Sequence, residues 1–148
     1  MHYTVEQLHK HVVDHEKWLE DMETGKRMHL HDADLHGANL EGTHLRGAIL
    51  HHCSLDSANL SHVDLRSADL EGTSFCDANL RSANLEGASL KHAAFQNADL
   101  QNANLSGADL DGADMKHCNL KGANMQHVHI WGTDFVGCNL NDAILTAW

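Results

Sequence analysis

The chain has 148 residues, a length that fits one domain with a continuous core and suggests no second. Its 21 Asp plus Glu against 10 Lys plus Arg give a formal net charge of −11, which argues against direct binding of a nucleic-acid backbone and favours a basic partner, while its 15 histidines reduce that charge below neutral pH. No run of 18 apolar residues exists, and the N-terminus MHYTVEQLHKHVVDHEKW lacks a basic start followed by an apolar stretch, so neither a membrane span nor a signal peptide is predicted and the expected location is the cytoplasm.

Residues 1–27 predict a helix. Thr4 followed by Gln7 has capping-box spacing, Val5, Leu8, Val12, Leu19 and Met22 fall on one helical face, and Gly25 is a plausible stop. This amphipathic helix is expected to cover the end of whatever follows. His11 and His15 lie four apart with no evident third ligand, so they make a weak metal candidate; His15 and Trp18 read as packing residues.

From residue 28 onward the period changes. From Leu30 to Leu145 every fifth residue is apolar, through 24 units without an insertion, and two places earlier, from position 33 to 143, the residue is always Ala, Thr, Cys or Val. Two residues spaced by two on an extended chain point to the same side, so a large centre and a small partner both face inward. The other two residues of each unit must turn the chain. Ten of the eleven glycines sit two residues after a centre, at the corner, where positive φ is needed. A short straight piece and a corner, repeated, make a coil, and stacked coils make a solenoid.

Phe75, Phe95 and Phe135 are separated by multiples of 20, and Asn39, Asn59, Asn79, Asn119 and Asn139 share one register modulo 20, which predicts four sides per coil. Four sides give about six coils, stacked over about 29 Å at the spacing of parallel strands. The absence of proline fits coils that donate backbone hydrogen bonds to their neighbours.

The units ADLHG, ANLEG, ADLEG, ANLSG and ADLDG resemble the A(D/N)LXX motif of the pentapeptide repeat family, over about four-fifths of the chain. The resemblance implies an all-β solenoid, a right-handed quadrilateral β-helix of residues 28–148 behind the helical cap of residues 1–27. HEKWLEDMETGKR is also similar to the segment leading into the repeats of many bacterial and phage members.

No nucleophile elbow, phosphate loop, HExxH or dinucleotide fingerprint occurs, so no enzyme and no cofactor are expected. Cys53, Cys76, Cys118 and Cys138 show no CxxC spacing; Cys118 and Cys138 are expected as stacked, buried, reduced thiols. Asp109, Asp111 and Asp114 crowd together but lack the following Glu of an EF-hand and read as a solvated face. His29, His31, His51 and His52 belong to one predicted side, with His31 and His51 one coil apart. They are candidates for a shared Zn²⁺ or Ni²⁺, against a plainer role as polar exterior.

Sorting exterior charges by side concentrates the acid. Asp32, Asp69, Glu71, Asp109 and Asp111 lie on the side centred on Leu30, and Asp34, Asp56, Asp77, Asp114 and Asp134 on the next, opposed only by Lys91 and Lys116. The expected partner surface is therefore Asp32, Asp34, Asp69, Glu71, Asp109, Asp111, Asp114 and Asp134. Some relatives in the resembled family protect or inhibit gyrase, so the resemblance implies a noncatalytic DNA mimic toward a type II topoisomerase, DNA gyrase or topoisomerase IV; a scaffold for another protein is the alternative. Trp131, Val136, Ile144 and Trp148 place apolar groups outward or at the last coil, where a homodimer is expected, as family relatives join through that end.

Overall fold

The computed structural model describes residues 1–146; the Trp148 expectation lies outside the described residues. One helix, α1 (Val5–Glu20), precedes the solenoid. Thr4 caps it as its sequence predicts: the Gln7 N–H donates to Thr4 Oγ1 (3.2 Å), and the Thr4 N–H to Gln7 Oε1 (2.9 Å). Two expectations for this segment are corrected. The helix ends at Glu20 with Asp21 as its cap, and Gly25 lies beyond it. There a Cβ would come within 1.9 Å of the Trp18 backbone nitrogen, so Gly25 serves a close approach of backbone to backbone. The buried face is Leu8, Val12 and His15, whereas Val5 and Met22 are largely exposed and Leu19 partly so.

Beyond α1 the backbone closes a square every 20 residues. The column Asp34, Ser54, Ser74, Ala94, Asp114 and Asp134 is joined by successive parallel bridges, and so is Asn39, Asn59 and Asn79. The longer strands are β1 (His29–His31) with β2 (Ile49–His51), and β3 (Asn124–Met125) with β4 (Ile144–Leu145), both parallel. Most rungs are single bridges because each side has room for little more than one straight residue between corners.

The hydrogen bonds repeat with the sequence. The centre donates forward to the next coil, as Leu80 N–H does to the Asp99 carbonyl (2.7 Å), and the residue before it donates backward, as Asn79 N–H does to the Ala58 carbonyl (2.9 Å). Within the corner, the small residue donates to the preceding centre, as Ala83 N–H does to the Leu80 carbonyl (3.0 Å). The turn's third residue has positive φ, as a type II turn requires. Glycine is the cheapest occupant, yet His52, His62, His92, His117 and His127 adopt the same conformation, φ between 53° and 59°.

Centres and small partners from Met28 to Val128 fill the interior with almost no exposure, apart from the half-buried Ala38 and Thr43 of the first coil. Phe75 and Phe95 stack with centroids 4.8 Å apart and planes 9° from parallel, as their shared register predicts. Each buried Leu contributes about 1.5–3 kcal/mol. The thiols of Cys118 and Cys138 donate to the Phe95 and Met115 carbonyls, and burial raises the pKa of both.

Candidate functional site

The acidic residues divide by what their second oxygen does. In Asp34, Asp69, Asp109, Asp114 and Asp134, which directly precede a centre, Oδ1 accepts the backbone N–H two residues on, from His36, Glu71, Asp111, Lys116 and Val136 at 3.0–3.4 Å. Each carboxylate thereby clamps the turn that follows it. The remaining oxygen faces outward and meets a basic side chain: the His2 imidazole at Asp34 (3.1 Å), the His51 imidazole at Asp69 (2.6 Å), Lys91 at Asp109 (3.2 Å), and Lys116 at both Asp114 (3.5 Å) and Asp134 (3.3 Å). The His36 N–H and His2 hold the Asp34 carboxyl below its ordinary pKa; the Val136 N–H and Lys116 do the same at Asp134.

Asp32, Glu71 and Asp111 lie outside that position. Asp32 occupies a corner at φ 54° and contacts His31 Nδ1 (2.6 Å). Asp111 Oδ1 accepts the Trp131 N–H one coil on (2.8 Å). Glu71 has no ion-pair partner among the described residues. The structure thus keeps the eight acids on two adjacent sides of the coil and sets a lysine beside three of them and an imidazole beside three more.

These contacts follow a rule the sequence analysis missed. The residue after a centre reaches the acid of the next coil, 18 positions later: Lys91 to Asp109, Lys116 to Asp134, Arg81 to Asp99 and His51 to Asp69, with the neutral Gln96 to Asp114 alike. Opposite charges at that spacing were the available signal.

On the first two coils four imidazoles gather. His31 and His51 are strand partners, and ring centroids lie 6.2 Å apart for that pair, 5.5 Å for His31 and His52, and 6.5 Å for His51 with either His29 or His52. Among the described residues, no group of three or more His, Cys, Asp or Glu side chains is arranged to hold a metal ion. His51 Nε2 is shielded from solvent and close to Asp69 without the alignment of a hydrogen bond.

His11 meets Tyr3 edge-on at 5.4 Å. His15 is fully buried: Nδ1 accepts the Met28 N–H (2.9 Å) and Nε2 donates to the Arg46 carbonyl (3.0 Å), so the ring is neutral and burial lowers its pKa. A cleft of about 520 Å³ lies between the N-terminal segment and the first coil, lined mainly by Tyr3, Leu8, Val12, Leu35 and Leu40. At the other end Trp131, Val136 and Ile144 are 84%, 64% and 50% exposed. Among the described residues, no helix is long and apolar enough to cross a membrane.

Comparison with known proteins agrees with this architecture. No curated protein sequence matches the chain significantly. Among solved structures, Rfr23, a pentapeptide repeat protein from the cyanobacterium Cyanothece 51142, is 25% identical, covers 90% of this chain and 99% of its own, and superposes with a TM-score of 0.71. HetL, a pentapeptide repeat protein involved in heterocyst differentiation regulation in Nostoc sp. strain PCC 7120, is 35% identical over 80% of this chain and 54% of its own, at a TM-score of 0.49. QnrB1, a plasmid-mediated fluoroquinolone resistance protein, is 22% identical over 76% of this chain and 60% of its own, at 0.43. The model of the pentapeptide repeat region matches residues 28–105, and that of eight pentapeptide repeats matches 88–126 and 123–147. With square coils, five-residue units and these matches together, the chain belongs to the pentapeptide repeat family, whose fold is the right-handed quadrilateral β-helix.

Proposed function

We propose that the protein is a noncatalytic interaction module, acting in the cytoplasm, that offers its two acidic sides to a basic groove on a protein partner. The specific candidate is the DNA-binding groove of a type II topoisomerase, DNA gyrase or topoisomerase IV, entered as a DNA mimic. The observation that carries the reading is the clamped carboxylate: one oxygen bound to the backbone fixes the position of the other, so the charges form a rigid band. The two sides carry ten acids and two lysines, a net of eight negative charges over about 29 Å, or one per about 3.6 Å, against one per about 1.7 Å of duplex axis. At about half the density of DNA, binding is collective and salt-sensitive.

The clamp also dictates the test. Lys at these positions would destroy turns as well as charge, whereas Asn keeps the acceptor. The set Asp69→Asn, Asp109→Asn, Asp114→Asn, Asp134→Asn with Glu71→Gln and Asp111→Asn should abolish any effect on gyrase supercoiling, with or without a fluoroquinolone. Glu41→Gln, Glu86→Gln and Asp99→Asn on the other sides should leave it unchanged. No effect of the wild-type protein at micromolar concentration, or equal loss from both sets, would discard the topoisomerase reading. The exposed Trp131, Val136 and Ile144 support a companion proposal, that a second copy packs on the last coil.

A further inference from the structure

We infer that His31, His51 and His52 form a binding site for a divalent transition ion of the Zn²⁺, Ni²⁺ or Cu²⁺ class, with Asp32 and Asp69 orienting two of the imidazoles. The site is independent of the acidic-groove reading. In His31 and His51 one ring nitrogen faces a carboxylate and the other is available, while one edge of His52 is covered by backbone. Nδ1 of His31 faces Asp32 Oδ2 at 2.6 Å, leaving Nε2; Nε2 of His51 faces Asp69 Oδ2 at 2.6 Å, leaving Nδ1. The Nδ1 and Cε1 edge of His52 lies over Gly72, where a Cβ would come within 2.2 Å of Nδ1, so its Nε2 is free. A carboxylate on one imidazole nitrogen is the usual support for metal on the other, because it fixes the tautomer and raises ligand basicity.

The spacing is near what an ion needs. Rings that share a tetrahedral ion through bonds of about 2.0–2.1 Å have centroids about 5 Å apart. The three separations here are 5.5, 6.2 and 6.5 Å. Binding requires His31, whose side chain is 56% exposed, and His51 to turn about their contacts with Asp32 and Asp69 so that the rings draw closer. For His51 the rotation has its own reward, since the present ring leaves Nε2 shielded yet unaligned with Asp69. His29, whose ring is 6.5 Å from His51, or a water completes the tetrahedron. Asp32, Asp69 and Glu71 make the surroundings favourable to a cation, and no Lys or Arg pairs with Asp32 or Asp69. His31 comes from the first coil and His51 and His52 from the second, so the ion ties the two together.

The test uses the full chain without an affinity tag, stripped with EDTA and titrated calorimetrically with ZnCl₂ near neutral pH. One ion per chain is expected, with a rise in melting temperature, and Co²⁺ should give the intense visible bands of tetrahedral coordination. The variant His31→Asn/His51→Asn/His52→Asn should weaken Zn²⁺ binding by at least about 30-fold, and Asp69→Asn, which keeps its turn bond, by about 10-fold. The control His36→Asn/His127→Asn/His129→Asn should bind like wild type. Circular dichroism of the metal-free proteins checks that each is folded; Asp69→Asn carries the test should the triple variant not fold. Equal isotherms for wild type and either cluster variant, or several ions bound without saturation, would overturn the proposal.

Discussion

The two ends of the solenoid are built from the same five-residue unit and meet opposite treatment. At the first coil the N-terminal segment takes the place of a missing neighbour: the Met1 amine donates to the Asp32 carbonyl, Asp34 N–H donates to the Met1 carbonyl, and His44 N–H donates to Glu16 Oε1. Arg27 Nε donates to the Gly47 carbonyl while its guanidinium lies over Trp18, and His15 holds Arg46 and Met28 together. Leu30, Leu35 and Leu40 are consequently as buried as centres deep in the stack, whereas Leu140 and Leu145 are 38% and 51% exposed. Burial of a centre is therefore set by its neighbouring coil and not by its own unit, the nearest-neighbour energetics of a solenoid.

The sharpest break in this comparison comes from placing one charge in both settings. Leu80→Asp strands a carboxylate in a fully enclosed column and loses about 1.5–3 kcal/mol of burial before the larger cost of the unpaired charge, so the middle coils should unfold. Leu145→Asp reaches water at the open end and should cost no more than about 1 kcal/mol. Melts followed by circular dichroism decide; equal losses would mean the last coil is as enclosed as the middle.

A smaller effect should be confined to the capped end. His15→Ala orphans the Met28 N–H and the Arg46 carbonyl, at roughly 1–3 kcal/mol each, and hydrogen exchange should quicken at Met28 and His44 while the Asn119 amide keeps its protection. The wild type should show the same behaviour with acid. The neutral His15 ring contributes stability fully above its ordinary pKa of 6.5, and because burial lowers the folded value, that stability is lost as pH falls from 6.5 toward it. Exchange at the first coil that ignores pH in this range would remove His15 as the fastener. Smallest of all, Trp131→Ser should change monomer stability by no more than about 0.5 kcal/mol. Its consequence should appear in sedimentation, as loss of a dimer; a wild-type monomer at tens of micromolar, roughly the range of weak assembly, would sink the dimer proposal.

What could be read from the residues is what repeats. Period five, register 20, the corner glycines and the Thr4 and Gln7 box each follow from local geometry, and the structure reproduces them. The helix face was legible in part: Leu8, Val12 and the packing role of His15 follow from spacing, whereas Val5 and Met22 are exposed because apolar periodicity does not show how far along the helix the first coil reaches. The site escaped in part for a different reason. Stacking at 20 puts Asp69 beside Ile49, and the reach of His51 to that acid is a diagonal of side-chain length that register alone does not contain.

The clamp on each turn has a last consequence, for how such a surface can vary. Asp and Asn offer the backbone the same oxygen, as Asp109 does to Asp111 and Asn104 does to Ser106, both at 3.1 Å. Shape is thus indifferent to which of the two is present, and the electrostatic face is an independent variable written one unit at a time. The limit lies in the vertical neighbour. Asn stacked on Asn donates its own amide down to the preceding coil, as Asn59 does to Asn39 and Asn79 to Asn59, while Asp114 stacked below Asp134 needs Lys116 between them. A chain of this design can therefore exchange one partner's charge pattern for another's while its scaffold is conserved bond for bond, provided each new acid brings a cation or a neutral neighbour with it.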